Sequence, residues 1–259
     1  VATLSARGLS GLPEIAPGDD LAALIVASLN DERLRDGQVV AIAHKAVSKA
    51  EGAVVALADV RVSARARELA TAHPQGEQDR DPRAVQVVLD QSTEILRAER
   101  GVLICRTPHG FVCANAGVDA SNASGEDGAE TLVTLPRDPD ASARGIRARL
   151  RELTGAAPAV LISDSFGRAW RHGQVDVALG LAGMQPLDDW RGRTDARGLE
   201  LRATWLAVAD AAAATADLVR RKDSREPVAI LDGLQEFVTA EDGPGAAALL
   251  RPLDEDLFR

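Results

Sequence analysis

Three apolar runs of strand length frame this chain: Val39–Ala43, Ala159–Ser163 and Pro227–Leu231. Each is a continuous block bounded by polar or turn-forming residues, which is the pattern of a buried strand rather than of a strand with one wet face. Segments of helical character lie between them. Pro17-Gly-Asp-Asp20 is a turn leading into a helix capped by Asp19 or Asp20, with Leu21, Leu24, Ile25 and Leu29 on one face. Asp138-Pro-Asp-Ala-Ser-Ala143 has helix-start chemistry, and Ile146, Leu150 and Leu153 recur behind it at helical spacing. The run from Ala203 to Leu218 contains no Gly or Pro and reads as a helix buried on most sides.

Shorter elements fill the rest. Strands are expected near Ala53–Leu57 and Thr131–Leu135, and residues 102–106 and 111–114 should pair as a hairpin across Thr107-Pro-His-Gly110. Two helical stretches follow residue 57, split at His73-Pro-Gln-Gly76, with Glu77–Arg83 as an exposed connector. Alternating strands and helices point to an α+β or mixed α/β fold. No repeat or low-complexity linker marks a boundary, so residues 1–259 read as one domain, with two intertwined subdomains as the variant.

The chemistry gathers where apolar runs give way to oxygen-rich ones. Cys113-Ala-Asn-Ala-Gly-Val-Asp-Ala-Ser-Asn122 offers Asn115, Asp119, Ser121 and Asn122, and Ala159–Ser163 runs directly into Asp164-Ser-Phe-Gly-Arg-Ala-Trp-Arg-His-Gly-Gln174. Asp119 and Asp164 therefore stand at the ends of two expected strands. A lone strand-ending aspartate is most often a turn former or a helix cap. Here both are flanked by hydroxyl or amide side chains, and a hard cation such as Mg2+ or Mn2+ prefers such oxygen ligands. Asp164 also leads into Arg168 and Arg171, and divalent metal with guanidinium is the electrostatic kit of phosphoryl transfer. Asn115 and Ser121 are read as shaping the loop that presents Asp119.

Lys45 and Lys49 follow the first buried run at four-residue spacing, which places both on one side of a helical turn, at a strand end where phosphate could bind. His44 and His172 have no metal-ligand spacing and are expected to hydrogen-bond. Trp170 and Trp190 are expected to pack. The cluster Arg220-Arg-Lys-Asp-Ser-Arg225 is a second candidate for a phosphorylated small molecule.

Absences narrow the class. There is no Gly-x-x-x-x-Gly-Lys-Ser/Thr loop, no Gly-x-Gly-x-x-Gly behind a strand, no Gly-x-Ser-x-Gly elbow and no His-Glu-x-x-His, so the fold is neither P-loop nor Rossmann. A net charge of −9 leaves no basic footprint for nucleic acid. No apolar run approaches the roughly 20 residues that span a bilayer, and the N-terminus lacks signal-peptide design, so a cytoplasmic protein is expected. Cys105 and Cys113 are too few for a zinc site; they could face each other across the hairpin, but read more simply as two buried thiols.

Taken in order, Gly11-Leu-Pro-Glu14 with Pro17-Gly-Asp-Asp20, Val47-Ser-Lys-Ala-Glu-Gly52, Val112–Asn122, Leu135-Pro-Arg-Asp-Pro-Asp-Ala-Ser-Ala143 and Asp164–Gln174 resemble the coenzyme F420-0:L-glutamate ligases, the gamma-glutamyl ligases of deazaflavin biosynthesis. The likeness covers nearly the whole chain and extends to the ligase half of two-domain actinobacterial enzymes, including Leu250–Phe258. It implies a family-specific fold and a GTP-dependent amide ligase. In such an enzyme the carboxylate of F420-0 is activated as an acyl phosphate and attacked by L-glutamate, with further gamma-linked glutamates as an extension. It also implies a homodimer and two Mg2+ or Mn2+ ions, with K+ as a further candidate. By position, Leu12, Pro13, Glu14 and Ile15 line the GTP site, with His44, Lys49 and Asn122 as further contacts. Asp119 and Asp164 hold the first metal and Ser165 the second.

The general base is open between Glu51 and Asp176. Three departures stand out: His44 where relatives often carry serine or glutamine, the heavily charged 218–225 segment, and the insertion-like stretch from Ala66 to Pro82. They leave two alternatives, an amide ligase for another carboxylate acceptor and a non-catalytic nucleotide-binding subunit.

Overall fold

The computed structural model describes residues 3–72, 80–119, 130–221 and 223–256. In chain order the regular elements begin with β1 (Ser5–Gly8), α1 (Leu21–Ser28), β2 (Val39–Ala43), α2 (His44–Ala50), β3 (Val54–Ala56), α3 (Ala64–Thr71) and α4 (Pro82–Asp90). Next come β4 (Glu94–Glu99), β5 (Val102–Arg106), β6 (Val112–Ala114), β7 (Thr131–Val133), α5 (Pro139–Thr154), β8 (Ala159–Arg168) and β9 (Arg171–Ala182). The last are β10 (Asp188–Asp189), β11 (Trp205–Leu206), α6 (Val208–Val219) and β12 (Val228–Asp232). Helices and mixed sheets together make an α+β fold.

The central sheet has the order β1-β12-β2-β8-β9. Only β2 and β8 run parallel; the other neighbours are antiparallel. The three apolar runs supply its middle, and their continuity follows from cover on both faces. Val40, Ile42, Val160, Ile162 and Ile230 pack toward α1, α2 and α5, whereas Val39, Ala41, Leu161 and Leu231 pack toward α6. A smaller core joins α3 and α4 to the β4-β5-β6 sheet through Leu69, Val85, Val88, Leu103 and Cys105.

Local chemistry accounts for the helix ends. Asp20 caps α1 by accepting from the Ala23 amide at 3.0 Å. Asp138 accepts from the Ala141 amide at 2.9 Å, Pro139 opens α5, and Gly155 closes it in the left-handed conformation. Of the apolar residues expected on that helix, Leu150 is fully buried and Ile146 packs at the core margin, but Leu153 is exposed.

Other expectations need correction. The alanine-rich helix begins only at Val208, because Trp205 and Leu206 pair with Asp189 and Asp188 as strand. Nor is it buried on most sides: Ala209, Ala212, Ala213 and Ala216 form one buried stripe, while Leu218 is 81% exposed. The expected split at 73–76 and the first part of the expected connector, 77–79, lie outside the described residues, and its last part is helix: Asp81 caps α4 and Pro82 is the first residue. Strands β1, β4 and β9 carry little sequence signal: β4 has no buried residue, and β9 has a polar first half that masks its apolar end. Trp170 is not a core residue: it turns the β8-β9 hairpin at φ 58° and is 82% exposed. Trp190 is half-buried and donates its indole N–H to Asp188 at 2.5 Å. Cys105 and Cys113 are register partners on β5 and β6, both buried and both free thiols. No helix among the described residues is long and apolar enough to cross a membrane.

A close seam in the core joins β9 to the start of α5. A Cβ at Gly180 would lie 2.2 Å from the Pro139 carbonyl oxygen, so the strand approaches the helix only because no side chain intervenes. Asp140 fixes the same seam by accepting from the Leu181 and Ala246 amides at 2.8 and 2.7 Å. Gly180→Ala should therefore lower the unfolding free energy by about 3 kcal/mol, the upper end for overpacking. Urea denaturation checks this, and an unchanged midpoint would show that the seam yields.

Candidate active site

The parallel register pairs Ala43 with Ser163, which brings the C-terminal ends of β2 and β8 to one edge of the sheet. Helix α2 starts at His44 with no intervening loop, so its first turn sits beside Asp164 and Ser165. Strand ends of this kind are where α/β sheets commonly bind ligands. A cavity of about 830 Å³ opens there. It is lined from five directions: the 14–15 segment, α2, the 113–119 loop, β8 with β9, and the last turn of α6 with the chain that follows it to Pro227.

Asp119 reaches the cavity by an unusual route. Asn115, Ala116 and Gly117 all have positive φ, 51°, 54° and 69°, and they turn the chain sharply after β6. Asn115 is held there as its side-chain oxygen accepts from the Leu103 amide at 3.3 Å and from Arg80 at 3.2 Å. Asp119 then exchanges both backbone hydrogen bonds with Val133, at 3.0 and 2.9 Å. Asn115 does shape the loop, but Asp119 does not end a strand as expected; an isolated bridge presents it. Its carboxylate pairs with Lys45 at 2.6 Å.

Asp164 departs from expectation too, lying inside the ten-residue β8 rather than at its end. Successive strand side chains alternate faces. Asp164 accordingly sits toward α2, 3.4 Å from His44 Nε2, whereas Ser163 and Ser165 face Asp176 of β9. His44 is buried, its Nδ1 lies 3.4 Å from Ser48 Oγ, and its Nε2 has no hydrogen-bond partner among the described residues.

The serines share one acceptor. Ser163 donates to Asp176 Oδ2 at 2.8 Å and Ser165 donates to Asp176 Oδ1 at 2.6 Å. Arg220, which follows α6, pairs with the same carboxylate and donates to Ser163 Oγ at 2.8 Å. Asp176 and Arg220 are only 4% and 7% exposed. Burial pulls the Arg220 guanidinium below its ordinary range, opposed by Asp176, Asp217 and Asp164. Burial likewise pushes the Cys113 thiol up to about 12, aided by the Asp164 carboxylate, which favours the neutral thiol in this cavity wall.

The residues singled out from sequence fare unevenly. Glu14, Ile15, His44, Lys49, Asp119, Asp164 and Ser165 all line the cavity. Lys45 and Lys49 both face it, Lys49 paired with Glu14. Leu12 instead packs against the core beneath, and neither it nor Pro13 lines the cavity. Asn122 and Ser121 fall outside the described residues. The candidate base Glu51 accepts from Ser142 and does not line the cavity, while Asp176 does. Arg168, Arg171 and His172 sit at the exposed hairpin tip, where Arg168 donates to the His172 carbonyl at 2.7 Å. The guanidinium groups at the cavity come from Arg220, Arg221 and Arg225. The one legible sign of that was the charged 218–225 segment itself; Ser163 and the Asp176–Arg220 contact had no local signal.

Among the described residues no three His, Cys, Asp or Glu side chains converge as a complete metal cage. The oxygen donors present, Asp119 and Asp164 with Ser165 on the other face of β8, are of the kind a hard cation such as Mg2+ takes when water and phosphate oxygens complete its shell.

Comparison with known proteins gives a consistent picture. The chain is 42% identical over 259 residues to the coenzyme F420:L-glutamate ligase of Methanothermobacter thermautotrophicus, covering 99% of each protein. It is 42% identical over 248 residues to the protein of that name from Methanopyrus kandleri, covering 95% of this chain and 94% of that one. With the Halobacterium salinarum protein, also named coenzyme F420:L-glutamate ligase, the identity is 42% over 99% of this chain and 96% of the relative. The model of the F420-0:gamma-glutamyl ligase family matches residues 11–233, and the chain belongs to that family of ligases.

Proposed function

We propose that this protein joins L-glutamate through an amide bond to the carboxylate of the deazaflavin F420-0, using GTP to activate that carboxylate as an acyl phosphate. The observation that carries the reading is the convergence of Asp119, Asp164 and Ser165 with Lys45 and Lys49 on one cavity. A free carboxylate resists amine attack at neutral pH, so a leaving group must first be attached, and nucleotide and acceptor are both anionic. Bound Mg2+ or Mn2+ would neutralise that charge and align the phosphoryl oxygens. Asp119 and Asp164 would hold one ion and Ser165 a second, on the opposite face of β8. Lys45 and Lys49 are ammonium groups already at the strand ends, and an incoming phosphate would take them from their present carboxylate partners, Asp119 and Glu14. Asp176 is a weak candidate for the base that receives the amine proton, because Arg220 and two hydroxyls hold its carboxylate.

A second reading, ligation to a different carboxylate-bearing acceptor, draws support from Arg221 and Arg225 at the cavity wall. Comparing kcat/KM for F420-0 with that for other carboxylate acceptors separates the two, and equal or better use of another acceptor would favour the second.

Incubation with F420-0, GTP, Mn2+ and L-glutamate should yield a product heavier by one glutamyl residue, with repeated turnover of GTP to GDP and phosphate only when acceptor and glutamate are both present. GTP binding without a glutamylated product by mass spectrometry would overturn the reading. Asp119→Asn should lower kcat by at least about 100-fold, the upper end of what outer-shell metal partners cost, with an unchanged circular dichroism spectrum. Lys49→Ala should act mainly on the nucleotide, raising KM for GTP about tenfold, equivalent to one charge-assisted hydrogen bond of ~1.4 kcal/mol, and leaving KM for glutamate unaltered.

A further inference from the structure

Beyond the residues assigned above, the buried Asp176–Arg220 pair occupies a position with a consequence for Ser165. The Asp176 carboxylate is an acceptor only. Both hydroxyls that touch it must therefore donate, Ser163 to Oδ2 at 2.8 Å and Ser165 to Oδ1 at 2.6 Å. Ser163 cannot turn its proton elsewhere without meeting Arg220, which donates to its oxygen at 2.8 Å. Arg220 at the same time holds Asp176 in place from α6. A serine hydroxyl on a cavity wall can ordinarily rotate and either donate or accept. Here rotation would break a short bond to Oδ1 of a carboxylate that is 4% exposed, whose contacts with Ser163 and Arg220 are to Oδ2.

We propose that Asp176, oriented by Arg220, is a positioning residue that draws the Ser165 proton away from the cavity, so that the hydroxyl offers lone pairs to a divalent cation. The inference rests on the metal-dependent reading above and deepens it. It assigns the pair to the ion rather than to the nucleotide or to proton transfer. It also separates the two serines: Ser163 completes the strap between β8 and α6, while Ser165 is the group whose orientation matters to a ligand. The competing account is that the four side chains merely tie β8, β9 and α6 together.

Mn2+ alone is a sufficient probe, with binding read from the electron paramagnetic resonance signal of the free ion in the absence of GTP, acceptor and glutamate. Ser165→Ala and Asp176→Asn should each weaken Mn2+ binding about tenfold, the lower end for loss of an outer-shell partner, and the double variant should bind no more weakly than either single one. Ser163→Ala should lower the melting temperature and leave Mn2+ affinity as in the wild type. Additive losses from Asp176→Asn and Ser165→Ala would overturn the inference, as would Asp176→Asn lowering the melting temperature with Mn2+ affinity intact. Asp176→Asn leaves a buried guanidinium unpaired and can fail to fold; Asp176→Asn/Arg220→Met, which removes both charges, then takes its place in the same cycle. Wild-type protein that binds no Mn2+ would sink the metal-dependent reading itself and this inference with it, whereas additivity in a protein that binds Mn2+ sinks the inference alone.

Discussion

The parallel pairing of β2 with β8 is the constraint from which the site follows. Antiparallel neighbours would send their C-terminal ends to opposite edges of the sheet, and parallel ones bring them together. With Ala43 opposite Ser163, the first residue of α2, His44, and the first polar residue of β8, Ser163, become neighbours although 119 positions apart in the chain. A parallel pair is tolerated only where both faces are covered. The stripes of α1 and α5 on one side and the alanines of α6 on the other supply that cover. Alanine matters on the α6 side because its small side chain lets the helix axis approach the sheet. That same approach delivers Arg220, one residue beyond the helix, to the floor of the cavity.

Opposite charges in the cavity are matched in pairs: Lys45 with Asp119, Lys49 with Glu14, and Arg220 with Asp176. Their burial differs, and so does their capacity to change partner. Glu14 is 81% exposed, so its pair with Lys49 is screened by water and readily exchanged. Arg220 and Asp176 are almost wholly buried, and breaking that pair would strand a charge in the interior, at a cost of about 3–5 kcal/mol. The upper part of the site is thus exchangeable and the floor is fixed. Such a division suits a cavity that must receive polyanionic ligands without losing the geometry of the groups that orient them.

Much of this was readable from residue order, but unequally. The buried strands stood out because continuous apolar runs have few other uses, and the caps at Asp20 and Asp138 because a short acidic side chain ahead of a helix has one dominant role. Lys45 and Lys49 were placed correctly by helical spacing. The failures share a cause. Arg168 and Arg171 were assigned to the site by proximity in sequence to Asp164, yet β8 continues past Asp164 and carries them out to a solvent-exposed turn. The groups that fill their place, Arg220 and Asp176, come from other elements and meet only through tertiary folding. Leu206 and Trp205 looked helical by composition and became strand because Asp188 and Asp189 offered a partner, a case of pairing overriding propensity.

Alternation along β8 also explains how one short segment can serve two distinct positions. The register slips by one residue between Ile162 and Ser163, where β9 contributes the extra Leu179, and bulges of this kind re-aim side chains near functional sites. Beyond the slip, Asp164 meets His44 on the α2 face and Ser165 meets Asp176 on the α6 face. Two adjacent side chains on opposite faces of a strand do not readily share a single small ion, whose oxygen ligands must all lie within about 2.1 Å of it. Asp119, Asp164 and Ser165 nevertheless all border one cavity. In the proposed reading Asp164 would offer its oxygen on the α2 side, with Asp119, and Ser165 would offer its own on the α6 side, so the alternation of the strand is what would divide the ligands between two ions.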